Sequence, residues 1–261
     1  MSHTDAWRHH AYEGVLNFRD FGGYGCARGG LPRGRLYRSA HHHRASDADL
    51  ETFHGLGVGL VVDLRTDAER REQPSRRHAA FAARVIEATG EQERAPHHVV
   101  GDQAVIDEDD VRRAMTASYR DLAYRPGIVD AYRRTFEALA DRPTPVLIHC
   151  AAGKDRTGVL VALLQRAAGV AEDDVMADYL LTNRVEHPPE RIERFGRWMS
   201  ERYGGAHTDA AIRLALGVEP GFLEATWASM DERNGGVNGY LRDVLGVDDA
   251  KREAAVAALY A

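Results

Sequence analysis

His149-Cys150-Ala151-Ala152-Gly153-Lys154-Asp155-Arg156-Thr157-Gly158 stands between the apolar runs Val146-Leu147-Ile148 and Val159-Leu160-Val161-Ala162-Leu163-Leu164. A short apolar run, a glycine-bearing break and a longer apolar run predict a buried strand, a tight loop and the first turns of a helix. Such a loop aims several backbone N–H groups at one point, where the positive end of the helix dipole also lies. The stretch therefore predicts an anion site suited to phosphate or sulfate.

The side chains define the chemistry at that point. Cys150 heads the loop, and the thiolate, the reactive form of cysteine, is favoured where amide N–H groups and cations converge. Arg156, six positions later, carries a planar fork able to hold two equatorial phosphoryl oxygens. The pair supplies a nucleophile beneath a held phosphoryl group, with the loop residues Ala151, Ala152, Gly153, Lys154, Asp155 and Arg156 as the phosphate cradle. A buried core thiol, the commoner fate of cysteine, leaves Gly153, Lys154 and Arg156 unexplained.

This stretch resembles the signature of the protein tyrosine phosphatase superfamily: His-Cys, five residues, Arg, then Ser or Thr. Its Ala-Gly-Lys-Asp-Arg-Thr-Gly form is similar to the bacterial branch that acts on phosphotyrosine and, in some members, on phosphoserine, phosphothreonine and phosphoinositides. Two further stretches carry the resemblance, Asn17-Phe18-Arg19-Asp20-Phe21-Gly22-Gly23 and Asp178-Tyr179-Leu180-Leu181-Thr182-Asn183. The second is read as a helix packed behind the active site.

The resemblance implies an α/β fold with a central, mainly parallel sheet flanked by helices and carrying a helical lid. It implies in-line attack by Cys150 and a phosphocysteine that water hydrolyses, with no cofactor. No metal is called for, because Arg156, Lys154 and the amides supply the positive field. No Trp-Pro-Asp loop is evident, so Asp155, which matches the branch's Asp, is assigned the proton donated to the leaving oxygen; Asp63 stands in reserve. Lys154 is similar to a lysine of phosphoinositide phosphatases, which brings multiply phosphorylated substrates into range. His149 and Thr157 are read as tuning the thiolate by hydrogen bonds around the loop. The branch inserts helices over its active site, and residues 186–217 are read as that lid, with amphipathic stretches at 192–203 and 208–216 and hinge freedom at Gly204, Gly205 and Gly217. Ordinary core packing of the same apolar faces is the alternative.

At 261 residues, 44% apolar and 28% charged, the chain can bury a full core, and residues 1–261 are expected to form a single domain. A balance of 34 basic against 40 acidic residues gives −6 and disfavours non-specific nucleic-acid binding. No run approaches the roughly 18 apolar residues of a membrane span, and Met1 to His10 lack the apolar core of a signal peptide. The expectation is a soluble cytoplasmic protein whose partner is a phosphorylated protein, lipid or small molecule such as a nucleotide or sugar phosphate. The competing classes are a rhodanese-type sulfurtransferase, which would lack the Gly-Lys-Asp-Arg-Thr-Gly continuation, and a non-catalytic phosphate-binding module, which usually loses the nucleophile or the arginine. Cys26 and Cys150, the two cysteines, cannot make a disulfide scaffold. A reversible bond between them could protect an oxidised nucleophile; an incidental Cys26 is the plain reading. The histidines at 9–10, 41–43 and 97–98 have no completing cysteine or carboxylate and read as loop residues.

Elsewhere, periodicity predicts a strand over 34–39, a helix from Ser46 to Gly55 or Gly57, and a buried strand at Leu60-Val61-Val62-Asp63-Leu64-Arg65. Asp63 and Arg65, at its exit, either enter the pocket or form a structural ion pair. Helices are expected over about 107–125, after an acidic start, and 128–140, with Tyr119, Tyr124 and Tyr132 as fillers. Arg19 and Asp20 either reach the active-site rim or pair with each other and cap turns.

Overall fold

Val146–His149 form the middle strand of a five-stranded sheet in the computed structural model, which describes residues 12–26, 28–90 and 104–260. Met1 to His10 and His97-His98 lie outside the described residues. The strands are β1 (Arg19–Asp20), β2 (Leu36–Ser39), β3 (Leu60–Asp63), β4 (Arg84–Glu87), β5 (Val105–Ile106), β6 (Val146–His149) and β7 (Ala206–His207). The order in the main sheet is β1-β2-β6-β3-β4, with β1 antiparallel to β2 and every other pairing parallel. Parallel neighbours need crossover connections, which the helices supply. In register, His149 stands opposite Ser39 on one side and Asp63 on the other. Three strands thus end side by side, and the loop after β6 opens at their carboxyl end, where ligands of open α/β sheets bind.

Alternation along the strands divides the core. Leu60, Val62, Val146 and Ile148 join the large helix-covered cluster, while Val61 and Leu147 point the other way, into a smaller cluster with Phe18 and Tyr37. Phe53 of α1 (Asp47–Gly55) covers that second face. Next come α2 (Asp67–Glu72), α3 (Glu108–Leu122), α4 (Pro126–Asp141), α5 (Asp155–Ala167) and α6 (Glu172–Leu180). The chain ends with α7 (Pro189–Tyr203), α8 (Asp209–Leu216), α9 (Pro220–Asn234), α10 (Val237–Asp243) and α11 (Asp249–Tyr260). Asp107 caps α3 by accepting from the backbone of Asp109 and Asp110, as the acidic start predicts.

The two amphipathic stretches of 186–217 are α7 and α8. They are joined through β7, which pairs in parallel with β5, and α8 packs on α3. Gly204 and Gly205 adopt φ of +78° and +66°, a conformation that favours glycine. Gly217 differs: its φ is −98°, and a Cβ there would lie 2.8 Å from Asn183 Oδ1. Close approach, not hinge freedom, is its reason. Among the described residues no helix is long and apolar enough to cross a membrane. Both cysteines are free, and Cys26 Sγ lies 2.8 Å from Tyr260 Oη.

Candidate active site

The loop from Cys150 to Arg156 is shaped from behind. Gly153 has φ +68°, and a Cβ on it would fall 2.2 Å from Ser39 O, so only glycine lets the loop lie against the end of β2. His41 N donates to Ala151 O at 3.1 Å. Asn17 Nδ2 and Arg38 Nη2 donate to Gly153 O at 2.9 and 3.0 Å. Tyr132 Oη donates to Arg156 O at 2.7 Å. The carbonyls are therefore held by surrounding elements, whereas no backbone N–H from Ala151 to Thr157 donates to a described residue. A run of unengaged amides at the start of α5 is the arrangement that favours an anion. Cys150 opens it, 2% exposed.

Arg156 is gripped by a residue the sequence reading missed. Glu69 accepts from Arg156 Nη1 at 2.6 Å and Nη2 at 2.8 Å, and Leu64 O accepts from Nη1 at 3.0 Å. Burial would lower the Arg156 pKa, but Glu69, with Cys150 and Asp155 adding to the negative field, raises it, so the guanidinium stays charged. Burial would raise Glu69, and Arg156 pulls it below the usual carboxylate range. The local signal was the capping box Thr66-x-x-Glu69, in which Thr66 N donates to Glu69 Oε2 at 2.7 Å.

Asp155 Oδ1 accepts from Tyr119 Oη at 2.6 Å, and Tyr119 Oη accepts from Tyr179 Oη at 2.8 Å. Burial first, then the Asp155 charge, pushes both phenols well above their ordinary pKa, so both remain donors. Tyr119 is thus no mere filler. Lys154 Nζ donates to Ala215 O at 2.5 Å and Gly217 O at 3.1 Å, with Asp155 Oδ1 at 3.6 Å. The cation expected on phosphate is held here by carbonyls at the end of α8.

Under the loop lies a buried charge cluster. Asp178 accepts from Arg38 Nη1 at 2.8 Å and Arg19 Nε at 3.4 Å, and all three residues are fully buried. Burial would raise Asp178, but the two guanidiniums lower it. Arg19 therefore neither reaches the rim nor pairs with Asp20, whereas Asp20 caps turns by accepting from Gly22 N and Gly34 N at 2.7 and 2.5 Å.

Residues 10–261 match the family model described as the tyrosine phosphatase family. The chain belongs to that family. A protein of Cupriavidus necator named as a candidate tyrosine-protein phosphatase is 34% identical over 250 residues, 92% of this chain and 85% of that protein. The triple specificity protein phosphatase PtpB of Mycobacterium tuberculosis is 32% identical over 258 residues, covering 88% and 91%. A tyrosine-protein phosphatase of Nostoc commune is 26% identical over 233 residues, covering 84% and 72%. The chain is accordingly a tyrosine-phosphatase-like phosphoric monoester hydrolase.

In this phosphatase Asp63 is held by a structural partner, whereas the ring nitrogens of His149 and the hydroxyl of Thr157, expected to tune the thiolate by hydrogen bonds, make none with a described residue. Asp63 takes four bonds from Arg65: backbone N to Oδ1 at 3.1 Å, Nε to Oδ1 at 2.9 Å and Oδ2 at 3.2 Å, and Nη2 to Oδ2 at 2.6 Å. Burial would raise Asp63, but His149 and Arg65 hold it far below the carboxylate range, so it is a poor proton donor. The ion-pair reading of Asp63 and Arg65 is the one the geometry takes. His149 lies with Nε2 3.7 Å from Asp63 Oδ2; burial, against the opposing pull of Asp63, lowers its pKa to about 4, leaving a neutral ring. The Thr157 hydroxyl is fully buried and bonds no described residue, the Cys150 sulfur included.

Proposed function

We propose that the phosphatase works through Cys150 as nucleophile, with Arg156 and the amides of Ala151 to Thr157 holding the phosphoryl group and Asp155 protonating the leaving oxygen. The observation that carries this is the row of N–H groups from Ala151 to Thr157 that serve no described residue, bracketed by Cys150 and Arg156. The thiolate attacks phosphorus in line, the ester oxygen leaves with a proton from Asp155, and water then cleaves the phosphocysteine. Loop amides and Arg156 stabilise the charge that develops on the equatorial oxygens.

Phosphotyrosine is the proposed substrate, with phosphoserine, phosphothreonine and phosphoinositides as a wider range; the triple specificity in the name of the PtpB relative supports a range broader than one ester, without naming its members. Residues 186–217 are proposed to form a lid over this site. The ammonium of Lys154 on Ala215 O and Gly217 O is its latch, and release of α8 frees that cation for a second phosphate.

The experiment is a panel of phosphopeptides, phosphoinositides, nucleotides and sugar phosphates against wild type, Cys150→Ser and Asp155→Asn. Cys150→Ser should abolish turnover of every substrate. Asp155→Asn should slow alkyl phosphates about 10²- to 10⁴-fold but p-nitrophenyl phosphate far less, since that leaving group needs no proton. Equal slowing of both would remove Asp155 from the acid role.

A further inference from the structure

The sheet face opposite the helical core holds a feature that phosphoryl transfer does not use. Val61 and Leu147, with Leu50, Phe53, Val58 and Phe81, border a cavity of about 260 Å³. That is close to the ~300 Å³ at which small-molecule pockets begin.

Arg77 lines this cavity. Its guanidinium carbon lies 4.8 Å from the centroid of the Phe81 ring, and it makes no hydrogen bond or ion pair with any described residue. Burial lowers its pKa, and although Asp63 and Glu87 attract it, both oxygens of Asp63 already accept from Arg65 and Glu87 Oε2 lies 3.8 Å from Arg70 Nε. The other charged groups at the mouth are answered: Arg76 bonds Asp47 at 2.6 Å, and His78 Nε2 lies 3.1 Å from Glu51 Oε1. Apolar walls with one guanidinium that has carboxylates near it but no direct ion pair match a compact molecule bearing one anionic group, because a half-buried cation gains most from a carboxylate in direct contact.

One wall touches the catalytic loop. His42 stacks on Phe53 at 4.4 Å and on His149 at 5.0 Å between ring centroids, and its Nε2 lies 3.0 Å from Ser39 Oγ. His149 is bonded directly to Cys150 in the chain. A body packed against Phe53 and His42 would press on rings that continue to the nucleophile.

We propose that this cavity is an effector site for a small carboxylate with a flat aromatic body, the carboxylate resting on Arg77 and the body on Phe53 and His42. Its occupancy changes turnover through the His42–His149 stack, a coupling between two distinct sites.

The test uses 1-naphthoate, with neutral 1-naphthamide as control, titrated calorimetrically into the full chain after the catalytic loop has been filled with orthovanadate. Naphthoate is expected to bind the vanadate-loaded protein. Arg77→Met, which keeps the apolar stem, should weaken naphthoate about tenfold or more and leave naphthamide unchanged. Ala83→Phe, which fills the cavity, should abolish both. In turnover of p-nitrophenyl phosphate, naphthoate should alter kcat in wild type and in neither variant. Displacement of naphthoate by vanadate, wild-type affinity in both variants, or binding that leaves kcat unchanged would each overturn the proposal. Should Ala83→Phe fail to fold, the contrast between naphthoate and naphthamide in Arg77→Met decides the outcome.

Discussion

Glu69→Gln removes a negative charge beside Arg156 while keeping the length and shape of the side chain. In the native protein two carboxylate oxygens serve three donors: Oε2 takes Arg156 Nη1 at 2.6 Å and Thr66 N at 2.7 Å, and Oε1 takes Arg156 Nη2 at 2.8 Å. A glutamine can keep its oxygen at the Oε2 position, but its NH2 then faces Arg156 Nη2, donor against donor. Removing one member of a buried ion pair costs about 3–5 kcal/mol. The side chains of Arg156 and Glu69 are 16% and 24% exposed, and two bonds survive, so about 3 kcal/mol is expected. In a chain of this size each kcal/mol moves Tm by about 2–4 °C, which gives a fall of roughly 6–12 °C by scanning calorimetry. Inorganic phosphate offers the same guanidinium a replacement anion, so it should raise Tm more in the variant than in wild type. A Tm within about 2 °C of wild type, or equal phosphate increments in the two proteins, would refute the claim that Glu69 holds the charge of Arg156 in place.

Tyr119→Phe should reproduce the substrate pattern of Asp155→Asn in weaker form, about tenfold on alkyl phosphates, the worth of a hydrogen bond to a charged group; equal effects on alkyl and p-nitrophenyl phosphates would show that the hydroxyl does not position Asp155. Lys154→Met should free α8 and speed protease cleavage near Gly204-Gly205, whereas an unchanged cleavage rate would sink the latch. Stability should fall on acidification, because His149 stays neutral in the folded protein until about pH 4 while the unfolded chain takes up that proton near its ordinary value of about 6.5. The stability from keeping this ring neutral is therefore complete above about pH 6.5 and is lost as pH falls through 4, by about 3 kcal/mol at the lower end. Urea unfolding of wild type and His149→Asn at pH 7 and pH 4.5 reads it, and parallel losses in the two would contradict it.

The loop was legible because its information is contiguous: strand, glycine and helix start follow one another from Val146 to Leu164, and the proposed chemistry rides on the same residues. The longer helices and the strands of four residues at 36–39 and 60–63 were legible for a related reason, since periodicity is local. Other parts were not. Two-residue strands such as β1, β5 and β7 are too short to show an alternation. Glu69 stands 87 positions from the arginine it holds, and its only nearby trace is a helix cap. Tyr119 sits at core spacing on α3, and nothing in that spacing tells an inert ring from one whose hydroxyl reaches Asp155. Lys154 was assigned by likeness to phosphate, and its observed partners lie 61 and 63 positions further along the chain.

Two guanidiniums and one carboxylate, Arg19, Arg38 and Asp178, lie buried behind the loop. Arg19 retains its proton at neutral pH, its pKa lowered by burial only to about 10, so the trio carries a net positive charge that dissolved ions cannot approach closely. Mobile salt weakens attraction between exposed charges over about 10 Å at 0.1 M but screens interior charges far less. If the loop holds a dianion as proposed, its attraction should therefore fade only shallowly as ionic strength rises, a property set by three buried residues behind the loop.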